Sequence, residues 1–276
     1  MSAPAVNAVW LPPPWQAIAI RLRSPAAATT GAYPRAGIRS PRGPRFWQGS
    51  TVASGARPTG VEADKRLAAR YAAGLVEDGM RVGIGSGTTV AALIPALAAR
   101  TLRIRCVATS DATAAAARAA GLAVEAFDEL AELDIAIDGA DQVAPGPWLV
   151  KGGGRAHTRE KIVAAAAERF VVIASGEKRV ERVGPPIPLE LLAFGLPATL
   201  RRLGHAVLRG GPPSPDGGVI ADWTGAVEDP AELARRLDAE PGVVDHGLFP
   251  PEYVTDIVMA AGGEVEHREV PGRRRR

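Results

Sequence analysis

An α/β protein is what this sequence predicts, a Rossmann-like parallel sheet into which a ferredoxin-like α+β unit is inserted. Three observations carry the prediction. Between residues 81 and 174, short apolar runs alternate with helical patterns, joined by turns of Gly, Ser and Thr. Repeated strand–turn–helix units build parallel sheets whose ligands bind at the strand C-terminal ends. From Pro185 the order becomes strand, helix, strand, strand, helix, strand, which is the ferredoxin-like arrangement. A last apolar run, Tyr253 to Ala260, reads as a strand returning to the first sheet. The chain has 276 residues, 46% hydrophobic and 23% charged, enough for one large core or two modest ones. The predicted boundaries are a disordered extension over 1–60, an α/β domain from 61–184 and 251–264, a small domain over 185–250, and a basic tail over 265–276.

Residues 1–60 hold nine Pro and no sustained period, a composition that does not build a packed core. Seven Arg without a single Asp, Glu or Lys also fit an organelle transit peptide, but the prolines spoil an amphipathic helix. Glu62 to Val76 repeats Leu67, Tyr71 and Leu75 at helical spacing and stops at Asp78-Gly79. Arg81 to Ile84 is a short strand; Gly85-Ser86-Gly87-Thr88-Thr89 then leads into a helix from Val90 to Ala99. Strands are predicted at 102–107, 122–125 and 133–137, with a helix from Ala114 to Ala120. Thr158 reads as a helix N-cap with Ile162 to Phe170 as the helix body, and Phe170 to Ala174 as the next buried strand. In the small unit the strands fall at 189–193, 206–209, 219–223 and 243–249, the helices at 196–203 and 230–237. Residues 263–276 read as a polar, frayed tail.

The chemistry gathers between Asp134 and Lys161. The strand ending at Ile137 runs into two carboxylates, Asp138 and Asp141, separated by Gly139 and Ala140, which allow a tight turn and close ligand approach. Lys151 follows, then Gly152, Gly153 and Gly154, whose amides carry no side-chain bulk and can face a bound oxygen or phosphate. Glu160 lies in the first turn of the next helix. Taken singly, each has a bland reading as a turn former, a flexible loop or a helix-dipole partner. Together they offer an acid/base residue, a cation and a backbone nest, which suits proton transfer beside a carbonyl. Upstream, Ser86, Gly87, Thr88 and Thr89 sit between a strand and a helix N-terminus, a ready anion site. No Gly-Lys-Ser/Thr and no full G-x-G-x-x-G is present there, so a small phosphate ester fits better than a nucleotide.

Asp138-Gly-Ala-Asp141, Lys151-Gly-Gly-Gly154 and Thr158-Arg-Glu-Lys-Ile162 closely resemble the ribose-5-phosphate isomerases of the A type, in order and at the right spacing, over roughly residues 61 to 262. The resemblance implies interconversion of ribose 5-phosphate and ribulose 5-phosphate through an enediolate, a step of the non-oxidative pentose phosphate pathway. It implies Glu160 as the base, Lys151 and the Gly152–Gly154 amides as enediolate stabilisers, and Asp138 and Asp141 as managers of hydroxyl protons and ring opening. Ser86 to Thr89, with Lys65 and Lys178, would surround the rest of the substrate, Lys65 near the phosphate. A cytoplasmic homodimer is the family-level expectation. No cofactor is needed, because the electron sink is the substrate carbonyl. The chain departs from the family at His157, usually apolar, and at Gln142, commonly Glu, both expected at the site edge.

Composition excludes several other classes. The formal charge of +3 is concentrated at the ends: subtracting the seven Arg of 1–60 and Arg273 to Arg276 leaves −8 for residues 61–272. An acidic body does not imply nucleic-acid binding. No run approaches the roughly 18 apolar residues of a membrane span. The lone Cys106 sits in an apolar strand pattern, a buried thiol rather than a nucleophile. His157, His205, His246 and His267 show no metal-ligand spacing, so no metal is assigned. A sugar-phosphate sensor of related fold is the alternative, and no helix-turn-helix pattern accompanies it.

Overall fold

The structure is a computed structural model and describes residues 50–52, 60–128 and 131–271. The first strand, β1 (Ser50–Val52), precedes α1 (Val61–Ala73), β2 (Arg81–Ile84), α2 (Thr88–Ala98), β3 (Arg105–Ala108), α3 (Asp111–Ala119) and β4 (Ala123–Val124). Next come β5 (Leu133–Gly139), β6 (Gln142–Val143), β7 (Leu149–Val150), α4 (His157–Ala166), β8 (Ala167–Ser175) and β9 (Ile187–Leu191). The chain continues through α5 (Leu196–Leu203), β10 (Ala206–Leu208), β11 (Val219–Trp223), α6 (Pro230–Asp238), β12 (Val243–His246), β13 (Leu248–Phe249), β14 (Asp256–Ala261) and β15 (Glu264–Glu269). None of the described helices is long and apolar enough to cross a membrane.

The main sheet runs β1-β15-β14-β8-β5-β2-β3-β4. From β14 to β4 every pairing is parallel, while β15 and β1 add antiparallel edges. Side chains alternate faces along a strand, so Val171 and Ile173 of β8 join one core with α1 and α2. Phe170, Val172 and Ala174 join another with Val163 and Ala164 of α4. The inner face of α1 is alanine (Ala68, Ala69, Ala72, Ala73), which lets the helix lie close to the sheet. Under α4 a Cβ on Gly83 would stand 2.5 Å from Val163, so glycine is what admits this helix.

The small sheet runs β10-β11-β9-β12, antiparallel throughout. With α5 and α6 between its strands this is the ferredoxin-like order expected from residue 185 onward. Its core holds Leu189, Leu203, Trp223, Leu233 and Leu237. A third, three-stranded sheet, β13-β7-β6, bridges the two.

Several expectations are corrected. Part of the stretch expected to be disordered is a strand, since Ser50–Val52 pairs with Val265–His267; residues 1–49 and 53–59 lie outside the described residues. The frayed tail is instead β15 as far as Glu269. Gly262 (φ 59°) and Gly263 (φ 81°) form a two-residue hairpin turn of the kind that needs positive φ twice. Asp64 of α1 accepts both their amides, at 3.1 and 3.0 Å. The single strand expected over 243–249 breaks at Gly247 and changes sheets. Its amide donates to Pro188 O (2.7 Å) and its carbonyl accepts from Lys151 N (2.9 Å). The α4 helix stops at Ala166 rather than Phe170, because the following residues are claimed by the centre of the main sheet. Thr158 is not the N-cap, a position held by Ala156.

Candidate active site

Three parallel strands deliver their C-terminal ends to one edge. β2 leads into Ser86–Thr89, β5 into Asp138–Asp141, and β8 into the single turn that carries Lys178. β7 brings Lys151 and the glycines alongside, and α4 brings Glu160. One pocket is lined by Ser86, Gly87, Thr88, Thr89, Gly139, Ala140, Asp141, Lys151, Gly152, Gly153, Gly154, Glu160 and Lys178.

Its floor is a buried charge cluster. Lys151, 2% exposed, places Nζ 2.8 Å from Asp138 Oδ2 and 3.0 Å from Glu160 Oε2. The same ammonium donates to Gly139 O at 2.6 Å and lies 5.4 Å above the Phe249 ring. Asp138 Oδ1 accepts from Ser86 N (3.1 Å) and Gly139 N (2.7 Å). Glu160 Oε1 accepts from Ser86 Oγ at 2.5 Å, and Thr109 Oγ1 donates to Ser86 Oγ at 3.3 Å. A Cβ on Gly85 would overlap the Asp138 carboxyl, so only glycine fits there.

One cation thus serves two carboxylates. Burial pushes the Asp138 carboxyl up to about 7, helped by the neighbouring Glu160 charge and opposed by Lys151. Burial alone would lower the Lys151 ammonium, but Asp138 and Glu160 outweigh it and hold it above its usual range. Both shifts run the same way, holding a proton more tightly on Asp138 and on Lys151. On the open side, the exposed Asp141 accepts from Gly153 N at 2.8 Å, tying one carboxylate to the glycine loop. Gly152 takes φ 105°, a region that favours glycine.

Residues 105–264 match the family model for ribose 5-phosphate isomerase A (phosphoriboisomerase A). The ribose-5-phosphate isomerase A of Methylorubrum extorquens is 44% identical over 229 residues, 76% of this chain and 97% of its own length. That of Caulobacter vibrioides is 46% identical over 201 residues, 67% of this chain and 88% of its own. The chain belongs to the ribose 5-phosphate isomerase A family. Solved members of the family share the architecture. The Methanocaldococcus jannaschii isomerase superimposes with a TM-score of 0.72 at 32% identity, covering 75% of this chain and 99% of that one. The Neisseria gonorrhoeae isomerase gives 0.74 at 30%, covering 78% and 99%.

The structure brings together all the residues expected from the isomerase motifs except Lys65; Asp138 joins the cluster through Lys151 and Ser86 without lining the pocket. Asp138 lies behind the pocket wall, beneath Lys151. Lys65 lies on α1, paired with Glu62 at 2.7 Å, and is not among the lining residues. Gln142, next to Asp141, is not itself among the lining residues: its amide exchanges two 2.8 Å hydrogen bonds with the backbone of Gly184. His157 sits fully buried against Gly152, and burial pushes its imidazole down to about 3. The motifs do not reveal Thr109, whose signal was the hydroxyl-rich turn after β3. Nor do they reveal the buried Glu190, which accepts from Thr158 Oγ1 (2.5 Å) and Ser214 Oγ and so fixes the start of α4. Among the described residues, Asp238, Asp245 and His246 bring ligand atoms within 4.8 Å of one another, away from the pocket. There the Lys161 ammonium already takes Asp245 at 2.5 Å.

Proposed function

We propose that this pocket interconverts D-ribose 5-phosphate and D-ribulose 5-phosphate, with Glu160 moving the proton between C2 and C1. The observation that supports it most is Lys151 held between Glu160 and Asp138 on the floor of a pocket rimmed by glycine amides. Asp141, exposed at the rim, exchanges the ring hydroxyl proton and opens the sugar. Glu160 then takes the C2 proton; the C2–H electron pair forms the C1–C2 double bond, and the carbonyl pair moves onto O1. A proton passes from O2 to O1, Glu160 returns its proton to C1, and the ketose forms without net redox. As Glu160 is neutralised the negative charge moves onto the substrate, and Lys151 lies beside both positions. Its attraction is transferred rather than lost, and the Gly154 amide adds to it.

Ser86, Gly87, Thr88 and Thr89, at the N-terminus of α2, and Lys178 hold the remainder of the sugar phosphate. Lys65, outside the lining, is assigned no contact. A solved isomerase of this family is in complex with phospho-erythronic acid, a phosphorylated sugar acid of the chemistry this pocket would take. The active species is proposed to be a homodimer, which sedimentation at assay concentration checks. The decisive experiment is ketose formation from ribose 5-phosphate with no added cofactor, run in deuterated solvent to follow exchange at C2. Binding with neither turnover nor exchange would mark a sensor instead.

A further inference from the structure

We propose that Arg209, locked by Asp222, is a positioning residue for the isomerisation: it holds the Gly152–Gly154 backbone so that the Gly153 amide ties down Asp141 and the Gly154 amide faces the enediolate. The inference rests on the reading of the pocket given above. It assigns the inserted small sheet a part in the chemistry.

Arg209 follows β10, and Asp222 lies on the neighbouring β11. Arg209 Nε donates to Asp222 Oδ2 at 2.9 Å and Nη2 donates to Oδ1. A planar guanidinium gripped on two nitrogens by one carboxylate has its remaining nitrogen fixed in place. That nitrogen, Nη1, donates to Gly152 O (3.0 Å) and Gly153 O (3.3 Å). In a trans peptide the N–H points opposite to the C=O. Holding the Gly152 carbonyl therefore turns the Gly153 amide the other way, where it meets Asp141 Oδ2 at 2.8 Å. The same relation turns the Gly154 amide away from Arg209 and towards the pocket that Gly154 lines.

Three glycines bring no side chains to pack, so their orientation has to be imposed from outside. A second arginine closes the frame: Arg155 (φ 68°) donates to Pro212 O at 2.8 Å and to Gly210 O, returning from the cradle to the hairpin beyond β10. Because Asp222 balances its charge, Arg209 orients the cradle without adding a net cation there.

Arg209→Ala, Arg209→Lys and Asp222→Asn test the proposal. Losing one oxyanion donor typically costs about 10²–10³ in kcat, and a loosened one should cost about tenfold or more. We expect kcat for ribose 5-phosphate to fall that far while KM stays within about threefold. Lysine should not rescue, since its ammonium keeps the charge but lacks the fork. Affinity for phospho-erythronic acid, whose carboxylate carries the kind of charge an enediolate develops, should fall in parallel. Unchanged kcat with only a lowered Tm would overturn the proposal. If the parent protein fails to isomerise, the functional reading falls separately. Amide exchange over residues 151–155 then decides: faster exchange in Arg209→Lys supports the clamp, and unchanged exchange rejects it. Should Arg209→Ala not fold, the other two variants carry the test.

Discussion

Glu160→Gln separates proton transfer from binding. Gln keeps the shape and can still hydrogen-bond to Ser86 and face Lys151, but it cannot take a proton at neutral pH. General-base catalysis supplies about 10²–10⁴-fold, so kcat should fall by at least about that much while KM changes little. Exchange of the C2 proton with solvent should fall in step. If Glu160 were only a helix-dipole partner, the change would cost about 0.3–1 kcal/mol of stability and leave kcat intact. Turnover above about a tenth of the parent rate would transfer the base to Asp141, because Asp138 lies behind the wall. At this scale the site was legible wherever its residues stand together in sequence: Asp138 with Asp141, Lys151 with its glycines. Arg209 was not legible, because 57 positions separate it from Gly152 and only the fold brings them together.

At the scale of elements, β15 tests what holds the sheet edge. Only Val265 in it is buried; Glu266 pairs with Arg179 at 2.5 Å, His267 with Asp256 at 2.7 Å, and Arg268 donates to Pro145 O at 2.9 Å. A strand of mostly charged residues reads as a tail because its partners come from other elements. Truncation after Gly262 should therefore destabilise: burial of Val265 alone is worth about 1.5–3 kcal/mol. Removing His267 also strips partners from the buried Asp256 and from Tyr71. Urea titration should show a midpoint lower by more than the valine accounts for; an unchanged midpoint would restore the tail reading. Apolar strands such as β5 and β8 were legible because burial on both faces forces a continuous Val/Ile/Ala run. The break at Gly247 was not, since Val243 to Phe249 stays apolar enough on either side of a change of sheet.

At the scale of the whole molecule, ionisable groups buried where α4 meets the small sheet couple stability to pH. His157 on α4 and His246 on β12 are both buried, and burial pushes each imidazole from 6.5 down to about 3. Lys161 is the next cause for both. A hydrogen bond with the Asp245 backbone opposes it at His157, while Asp238 lies 3.1 Å from His246. The sign follows from proton counting. Above pH 6.5 both states are neutral at these rings and stability is unaffected. As pH falls from about 6.5 towards 3, the unfolded chain binds protons that the folded chain refuses, so unfolding is favoured. Each histidine contributes a slope of about 1.4 kcal/mol per pH unit across that window. His157→Leu, which places an apolar side chain against Gly152, should flatten the acid limb of the stability curve by about that amount per unit. It should leave stability above pH 7 changed only by packing, and kcat near the parent value, because His157 is not among the residues lining the pocket. Chemical denaturation at pH 7.5, 6 and 5 measures this directly. Parallel curves for parent and variant would mean that His157 takes up its proton in the folded state as readily as in the unfolded one.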